Sequence, residues 1–314
     1  MVDMKFTRRH LLRTVGAGGA LAAASTLAGC AAWPIQGSSR GPLRLVFYTD
    51  VHARQDGGVP EALGRAAARI NVQKPDLVLG GGDLVAGNFD STAAEVAPMW
   101  DAYMAMHRAI RGEHHVAIGN HDLMGVLPRD GSAPVADPRL FYKQRLGVTD
   151  TYRAFDALGY HVMLLDPTWI SGDKHQYHGR IAPPQLDWIE AELSRIPRSK
   201  PIVLVTHIPL LTAFLGAKEG MAVAAEPFMV VTNNREVLAL FAQHNLALVL
   251  QGHLHVSEQV RWRGTNFITG GAICGKWWRG PYFGTAEGFT AITLHPDRVE
   301  WQYLDYGWHA STQG

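Results

Sequence analysis

The sequence predicts an α/β domain in which parallel strands are covered by helices. Two observations lead to this prediction. Between residues 43 and 118, short apolar runs alternate with helical patterns in the order β-α-β-α-β, and runs that are apolar on both faces are typical of buried parallel strands. From residue 256 onward, strand patterns follow one another without helices between them. The domain is therefore expected to join a helix-covered parallel part to a β-rich C-terminal part.

Each element follows from the local spacing of apolar residues. Continuous apolar runs predict buried strands, at 43–48, 76–80, 115–118, 202–205 and 246–250. Apolar residues at helical spacing predict helices, at 60–72, 91–110, 184–193 and 233–243, with Ser91 as the N-cap of the second. A hairpin is predicted over 152–165, and tail strands at 256–262, 266–269, 289–294 and 299–304. The stretches 122–150 and 208–232 are expected to be long loops.

The composition excludes several classes of protein. The 314 residues are 47% hydrophobic and 18% charged, which is ordinary for a globular domain. Lys and Arg total 29 against 28 Asp and Glu, so the charge does not support a broad nucleic-acid-binding surface. Two cysteines cannot form a disulfide scaffold. A polytopic membrane protein is also excluded, because no strongly apolar run reaches about 18 residues.

The N-terminal sequence resembles an export signal that ends at a lipidation site. Residues 7–13, Thr-Arg-Arg-His-Leu-Leu-Arg, resemble a twin-arginine signal, and a weakly apolar Gly/Ala-rich stretch follows. It ends in Leu-Ala-Gly-Cys, which resembles a lipoprotein signal-peptidase box with Cys30 as the lipidated residue. The resemblance implies a signal at 1–29, a flexible linker at 30–42 and an exported, membrane-anchored lipoprotein, periplasmic or at the cell surface. An uncleaved anchor or a disordered leader is the alternative.

Potential metal ligands follow the carboxyl ends of five predicted strands. They are Asp50, His52, Asp83, Asn120, His207, His253 and His255. Ligands bind at this edge of parallel sheets, and the neighbouring glycines allow the backbone to turn sharply. Seven such groups exceed the four ligands of a structural zinc site. They suit two divalent ions that share a bridging carboxylate, about 3.5–4 Å apart.

These motifs also resemble those of a known family. In chain order, Asp-x-His, Gly-Asp, Gly-Asn-His-Asp, Thr-His and Gly-His-x-His are similar to the motifs of the calcineurin-like metallophosphoesterases, over roughly 43–255. The resemblance implies a phosphoester hydrolase with a four-layer α/β/β/α sandwich of two mixed sheets flanked by helices, over residues 43–310. The β-rich tail fits that family's second sheet, and the dimetal site is expected at the carboxyl edge of the strands.

The resemblance implies a role for each motif residue. A hydroxide bound by two divalent ions (Mn, Fe or Zn) would attack phosphorus, because coordination lowers the pKa of water toward neutrality. His121 is no ligand in the family, and it would orient the phosphate beside Asn120 and protonate the leaving oxygen. The implied ligands are Asp50, His52 and His255 for the first ion, Asn120, His207 and His253 for the second, and Asp83 as the bridge.

The residue at position 86 narrows the choice of subfamily. Ala86 stands where phosphoprotein phosphatases have a second aspartate and purple acid phosphatases a metal-binding tyrosine. This argues against both groups and favours the bacterial group that includes cyclic-nucleotide phosphodiesterase-like proteins. It leaves open what orients His121.

Later in the chain, Trp277 and Trp278 are expected to stack on a base or ring of the substrate, and Arg279 to contact a phosphate. The alternative is a packed hairpin at 270–280.

The charge near the motifs bears on the kind of phosphoester that is hydrolysed. No basic cluster is evident near the motifs beyond Arg279, and a monoanionic diester needs less positive charge than a dianionic monoester. A phosphodiesterase is therefore favoured over a phosphomonoesterase such as a nucleotidase. A non-catalytic metal-binding envelope lipoprotein is the other alternative. His121 argues against it, because binding metal alone requires no general acid.

Overall fold

A computed structural model describes residues 42–310 of the chain. The predicted export signal, the lipidation site at Cys30 and all but the end of the predicted linker lie outside the described residues, so they stay predictions. Within residues 42–310, no helix combines the length and the apolar character needed to cross a bilayer.

The described residues contain thirteen strands and six α-helices. The strands are Leu43–Tyr48 (β1), Leu77–Gly80 (β2), Glu113–Val116 (β3), Arg153–Ala157 (β4), Tyr160–Leu164 (β5), Thr168–Ile170 (β6), Tyr177–Gly179 (β7), Ile202–Thr206 (β8), Leu246–Gln251 (β9), Glu258–Trp262 (β10), Thr265–Thr269 (β11), Gly288–Leu294 (β12) and Val299–Asp305 (β13). The helices are Val59–Val72 (α1), Ala93–Ala109 (α2), Leu140–Leu146 (α3), Pro183–Arg195 (α4), Phe214–Glu219 (α5) and Asn234–Leu240 (α6).

The strands form two large mixed sheets and one small ribbon. The first sheet has the order β13-β12-β1-β2-β3, in which β1, β2 and β3 run parallel and β12 pairs antiparallel with β1. The second has the order β10-β11-β9-β8-β5-β4, with β5, β8, β9 and β11 parallel. β6 and β7 pair only with each other among these elements. The C-terminal strands thus belong to both sheets.

Three apolar clusters separate four layers. On β1, Val46 and Tyr48 belong to the cluster that contains the buried faces of α1 and α2, whereas Leu45 and Phe47 belong to the cluster between the two sheets. The outer face of the second sheet packs on α4 and α6 in the third cluster. Because side chains alternate across a strand, each central strand is buried on both faces. The predicted α/β/β/α sandwich is confirmed.

The N-cap of α2 is Thr92, not Ser91 as predicted. The Oγ1 atom of Thr92 accepts the N–H of Glu95 at 3.4 Å, and the Glu95 carboxylate accepts the N–H of Thr92 at 2.8 Å. This capping box satisfies two backbone groups that the helix leaves unpaired. Ser91 instead accepts the N–H of Asn88 in the preceding turn.

The predicted long loops contain elements that the sequence pattern did not indicate. α3 lies within 122–150, where the buried Tyr142 donates its hydroxyl to the carbonyl of Val116 at the end of β3. α5 lies within 208–232, and the β6–β7 ribbon precedes α4. These elements are too short for a periodic signal, and tertiary contacts such as that of Tyr142 define them.

Candidate metal centre

The predicted ligands converge at the carboxyl edge of both sheets. Five of the seven have a left-handed backbone conformation, with φ between 44° and 72°, namely Asp50, His52, Asp83, His253 and His255. This conformation is costly for residues other than glycine and is found most often at functional sites, where the surrounding fold imposes it. Backbone hydrogen bonds impose it here, since the N–H groups of Asp50 and His52 donate to the carbonyls of Gly82 and Asp83.

Glycines make this convergence possible. A Cβ atom on Gly119 would lie 2.2 Å from Oδ1 of Asp83, and one on Gly252 would lie 2.2 Å from Oγ1 of Thr49 and 2.8 Å from Oδ2 of Asp50. Such distances are too short for any side chain. The glycines in the ligand motifs therefore allow the loops that carry the predicted ligands to approach one another closely, in addition to allowing sharp turns.

The ligands predicted for the first ion lie in contact with one another. The Nε2 atom of His255 lies 3.2 Å from Oδ1 of Asp50 and 3.2 Å from Nε2 of His52. The same atom of His52 lies 3.6 Å from Oδ2 of Asp83. All four side chains are buried. One carboxylate and two imidazole nitrogens thus face a common point beside the proposed bridge.

The ligands predicted for the second ion lie on the other side of Asp83. Nε2 of His207 is 3.1 Å from Oδ2 of Asp83, and ligand atoms of Asp83, His207 and His253 all lie within 4.8 Å of one another. Oδ1 of Asn120 and Nε2 of His253 are buried without a hydrogen-bond partner. Buried polar atoms normally have hydrogen-bond partners. These two unpartnered atoms are therefore suited to be ligands of a cation.

Hydrogen bonds on the far side of two imidazoles fix which nitrogen faces the centre. Nδ1 of His207 lies 2.8 Å from the carbonyl oxygen of Gly81, and Nδ1 of His255 lies 2.6 Å from that of Gly275. A carbonyl can only accept, so both Nδ1 atoms carry the proton. Nε2 therefore faces the carboxylates, and it is the atom that a metal ion would bind once any proton on it has been displaced.

The electrostatics of the site favour a bound cation. Against the effect of burial, His255 and His207 hold the pKa of Asp50 well below its usual range. Burial, with the nearby His207, lowers the pKa of His253 to about 3, so this imidazole is neutral, the form that ligates metal. Two buried carboxylates surrounded by imidazoles present an uncompensated negative charge unless protons or metal ions neutralise it.

His121 lies beside the ligands, with its ring fixed by a backbone carbonyl. Its Nδ1 atom is 2.5 Å from the carbonyl oxygen of Gly87, and its backbone N–H donates to Oδ1 of Asp83 at 2.8 Å. The ring contacts that of His52 edge-on, with centroids 4.9 Å apart. Gly87 follows Ala86 directly, so a backbone carbonyl in this loop orients His121, next to the position where phosphoprotein phosphatases have an aspartate.

Asp122 is a site residue that the sequence analysis quoted in its motif but gave no role. Its carboxylate accepts the N–H of Gly119 and of Leu84, each at 2.8 Å. Burial and the charge of Asp83 raise its pKa to about 8. The side chain joins the loop that carries Asn120 to the loop that carries Asp83. The available signal was a carboxyl directly after the Asn120-His121 pair, in a turn that begins at Gly119.

The two predicted aromatic residues have different positions. The indole of Trp277 lies against the His52 ring, with centroids 3.9 Å apart, and is 41% exposed. Trp278 is half-buried, and its indole N–H donates to the carbonyl of His52 at 2.9 Å. Arg279 is exposed. Trp277 therefore forms part of the wall of the site, while Trp278 supports the backbone of the predicted ligand His52.

Comparisons with known proteins agree with this geometry. Residues 43–257 match the sequence profile described as calcineurin-like phosphoesterase, and the chain belongs to that family. It is a hydrolase that acts on phosphoester bonds. No curated protein matches the chain in sequence.

Solved structures share the fold at low sequence identity. A dimetal phosphatase from Danio rerio is 16% identical, with a TM-score of 0.63 over 85% of this chain and 97% of that chain. GAP50 of Plasmodium, described as the anchor in the inner membrane complex, is 13% identical, with a TM-score of 0.54 over 86% of each chain. These similarities concern the fold.

Proposed function

We propose that the protein is a phosphodiesterase that works outside the cytoplasm, held to a membrane by a lipid on Cys30. The observation that supports catalysis, beyond metal binding, is the position of His121. Its ring is oriented by the Gly87 carbonyl and lies beside the ligand His52, yet the resembled family does not use it as a ligand. A fixed imidazole next to the bridging Asp83 is suited to proton transfer.

The residues present fit two divalent ions. Asp50, His52 and His255 would hold one ion, Asn120, His207 and His253 the other, and Asp83 both. When bound, such ions supply Lewis acidity, which stabilises charge on the phosphoryl oxygens and makes water a better nucleophile.

The side chains around the ions have separate tasks. His121, whose Nδ1 is held by Gly87, would donate a proton from Nε2 to the leaving oxygen as the bond breaks. The indole of Trp277 covers the His52 ring and restricts water on that side. The Gly81 and Gly275 carbonyls keep two ligand rings in the orientation that binding requires.

The charge around the site supports the diester assignment. Over residues 42–310, no lysine or arginine side chain forms an ion pair with either carboxylate of the centre, whose charged partners are all histidines. A monoanionic diester needs less added positive charge than a dianionic monoester. The aromatic wall formed by Trp277 also suits a substrate with a ring on the ester.

A matched panel of phosphoesters tests this assignment. Metal-loaded protein would be assayed with bis(nitrophenyl) phosphate against nitrophenyl phosphate, and with cyclic nucleotides against nucleoside monophosphates. We expect kcat/KM to favour the diester of each pair about tenfold or more. A preference for monoesters would overturn the diester assignment and support a nucleotidase. The Asp83→Asn variant, prepared identically, controls for contaminating phosphatases.

The same assay addresses the non-catalytic alternative. The fold similarity to GAP50 does not by itself favour it, since one fold can support different functions. Full metal occupancy without turnover of any phosphoester would favour a binding role, whereas turnover that depends on Asp83 and His121 excludes it.

A further inference from the structure

A polar cavity of about 610 Å³ lies at the edge of the sandwich opposite the metal centre. Its walls are the β10–β11 hairpin, the turn between β12 and β13, and the start of β9. The ligand His253 lies just past the other end of β9, and a six-residue strand is about 20 Å long. The cavity and the metal centre therefore open on opposite edges of the molecule.

Three arginines line this cavity, and two of them have no counter-charge. Within the described part of the chain, neither Arg261 nor Arg263 forms an ion pair, and both are exposed. Arg298, across the cavity, pairs with Glu300 at 2.8 Å and with Asp297 at 3.2 Å. Asp297 is the only acidic residue in the lining. The cavity thus presents unneutralised positive charge.

An exposed tryptophan separates the two unpaired arginines along the chain and adjoins the cavity that they line. Trp262 is 43% exposed, and the guanidinium of Arg263 lies 4.7 Å from its ring centroid. Tryptophan concentrates at the interface between water and lipid headgroups, where an amphipathic ring is favoured. Arginine beside it is attracted to anionic headgroups. The sequence Arg-Trp-Arg at the tip of a hairpin combines both properties.

The chain enters the domain at this same edge. Leu43, the first residue of β1, pairs with Leu294, the residue before the turn that lines the cavity. If Cys30 carries the lipid, about a dozen residues separate the anchor from this edge, which can span at most about 40 Å. The anchor would therefore keep the arginine-rich edge near the bilayer.

We propose that Arg261, Trp262, Arg263 and the adjoining cavity form a contact surface for anionic phospholipid headgroups. The contact orients the domain so that the metal centre faces away from the bilayer and stays accessible to soluble substrates. The orientation rests on the proposed lipid anchor, while the headgroup contact itself does not depend on the anchor or on catalysis.

Vesicle binding by the full-length Cys30→Ala chain tests the contact without the lipid. Sedimentation would compare vesicles of phosphatidylcholine with vesicles that also contain phosphatidylglycerol. The double variant Arg261→Gln/Arg263→Gln should bind the anionic vesicles about tenfold or more weakly, because each basic residue near the surface contributes about 1 kcal/mol. The matched control, Lys174→Gln/Arg235→Gln, removes the same charge from exposed positions outside the cavity and should bind as before.

Further measurements distinguish a specific headgroup contact from non-specific electrostatic attraction. Trp262→Ala should weaken binding at high salt as well as low salt, since its contribution is not screened. Equal losses in both double variants, or equal binding to both kinds of vesicle, would overturn the proposal. Loss of vesicle binding in the presence of millimolar glycerol phosphate would show a site for a free anion instead of a bilayer. Unchanged hydrolysis of a soluble phosphoester by all variants verifies the fold, so the outcome is distinct from that of the activity assays.

Discussion

The Nδ1 atom of His121 lies 2.5 Å from the carbonyl oxygen of Gly87. This hydrogen bond requires a proton on Nδ1, because a carbonyl can only accept, so Nε2 is the nitrogen left to exchange a proton with the substrate. The hydrogen bond also fixes the ring beside His52 and Trp277. Because no side-chain substitution can remove a backbone carbonyl, the role of His121 must be tested by replacing His121 itself.

Replacing His121 should affect substrates according to their leaving groups. His121→Ala should reduce hydrolysis of alkyl phosphoesters by about 10²–10⁴-fold, and hydrolysis of nitrophenyl esters far less, because nitrophenolate leaves without a proton. Metal content by elemental analysis should stay unchanged. Equal losses for alkyl and aryl esters would remove His121 from the role of acid.

Asp83→Asn should weaken both metal sites at once. Oδ2 of Asp83 faces His52 at 3.6 Å and His207 at 3.1 Å, so the residue contributes to both halves of the centre. We expect loss of bound metal, loss of activity and a lower midpoint of thermal unfolding, because metal bound only by the folded state stabilises it. Full occupancy of two ions in this variant would contradict the ligand assignment.

Two glycine substitutions should have opposite effects. In Gly252→Ala, the Cβ atom would lie 2.2 Å from Oγ1 of Thr49 and 2.8 Å from Oδ2 of Asp50, so the metal ligands must shift. Metal affinity, measured by titration calorimetry, should fall about 10–100-fold. Gly64→Ala is the matched control in α1, where no atom beyond the neighbouring residues and the helix's own backbone lies within 4 Å of the new Cβ. It should raise the free energy of unfolding by about 0.5–1 kcal/mol, as measured by denaturant titration.

Metal affinity should rise with pH. Against the effect of burial, Asp83 and Asp50 raise the pKa of His207 to about 9 in the metal-free protein. A raised pKa stabilises the metal-free fold below the unfolded value of 6.5, and this stability is lost as the pH rises through about 9. Metal must displace that proton, so the apparent affinity should increase between these two pH values with proton release. An affinity that does not change with pH would be inconsistent with ligation by His207.

Cys30→Ala tests the proposed anchor. The substitution removes the site of lipidation, so the protein should move from the membrane fraction to a soluble or unprocessed form. Fractionation and intact mass measure the change. Unchanged mass and an unchanged membrane fraction would rule out lipidation at this cysteine, without affecting the assignment of the metal centre.

The sequence by itself determined which strands are central and at which edge of the sheets the potential ligands lie, whereas the order of the four layers was implied only by the family resemblance. Apolar runs such as 202–205 and 246–250 have no polar face, so they had to be central strands, and a residue after each strand had to lie at one edge of the sheet. The seven potential ligands could therefore be named from their positions after strands. Short elements such as α3 escaped prediction, because Tyr142 is held by the end of a distant strand and not by local periodicity.

Only the tertiary structure decided how those residues work together. The partner of His121 is the carbonyl of Gly87, 34 positions away, and a backbone carbonyl has no sequence signature. The distinct positions of Trp277 and Trp278 depend on the turn that places one ring against His52 and the other below its backbone. The arginine-lined cavity arises where strands of two sheets meet. Contacts between distant segments depend on the packing of whole layers, which local spacing does not encode.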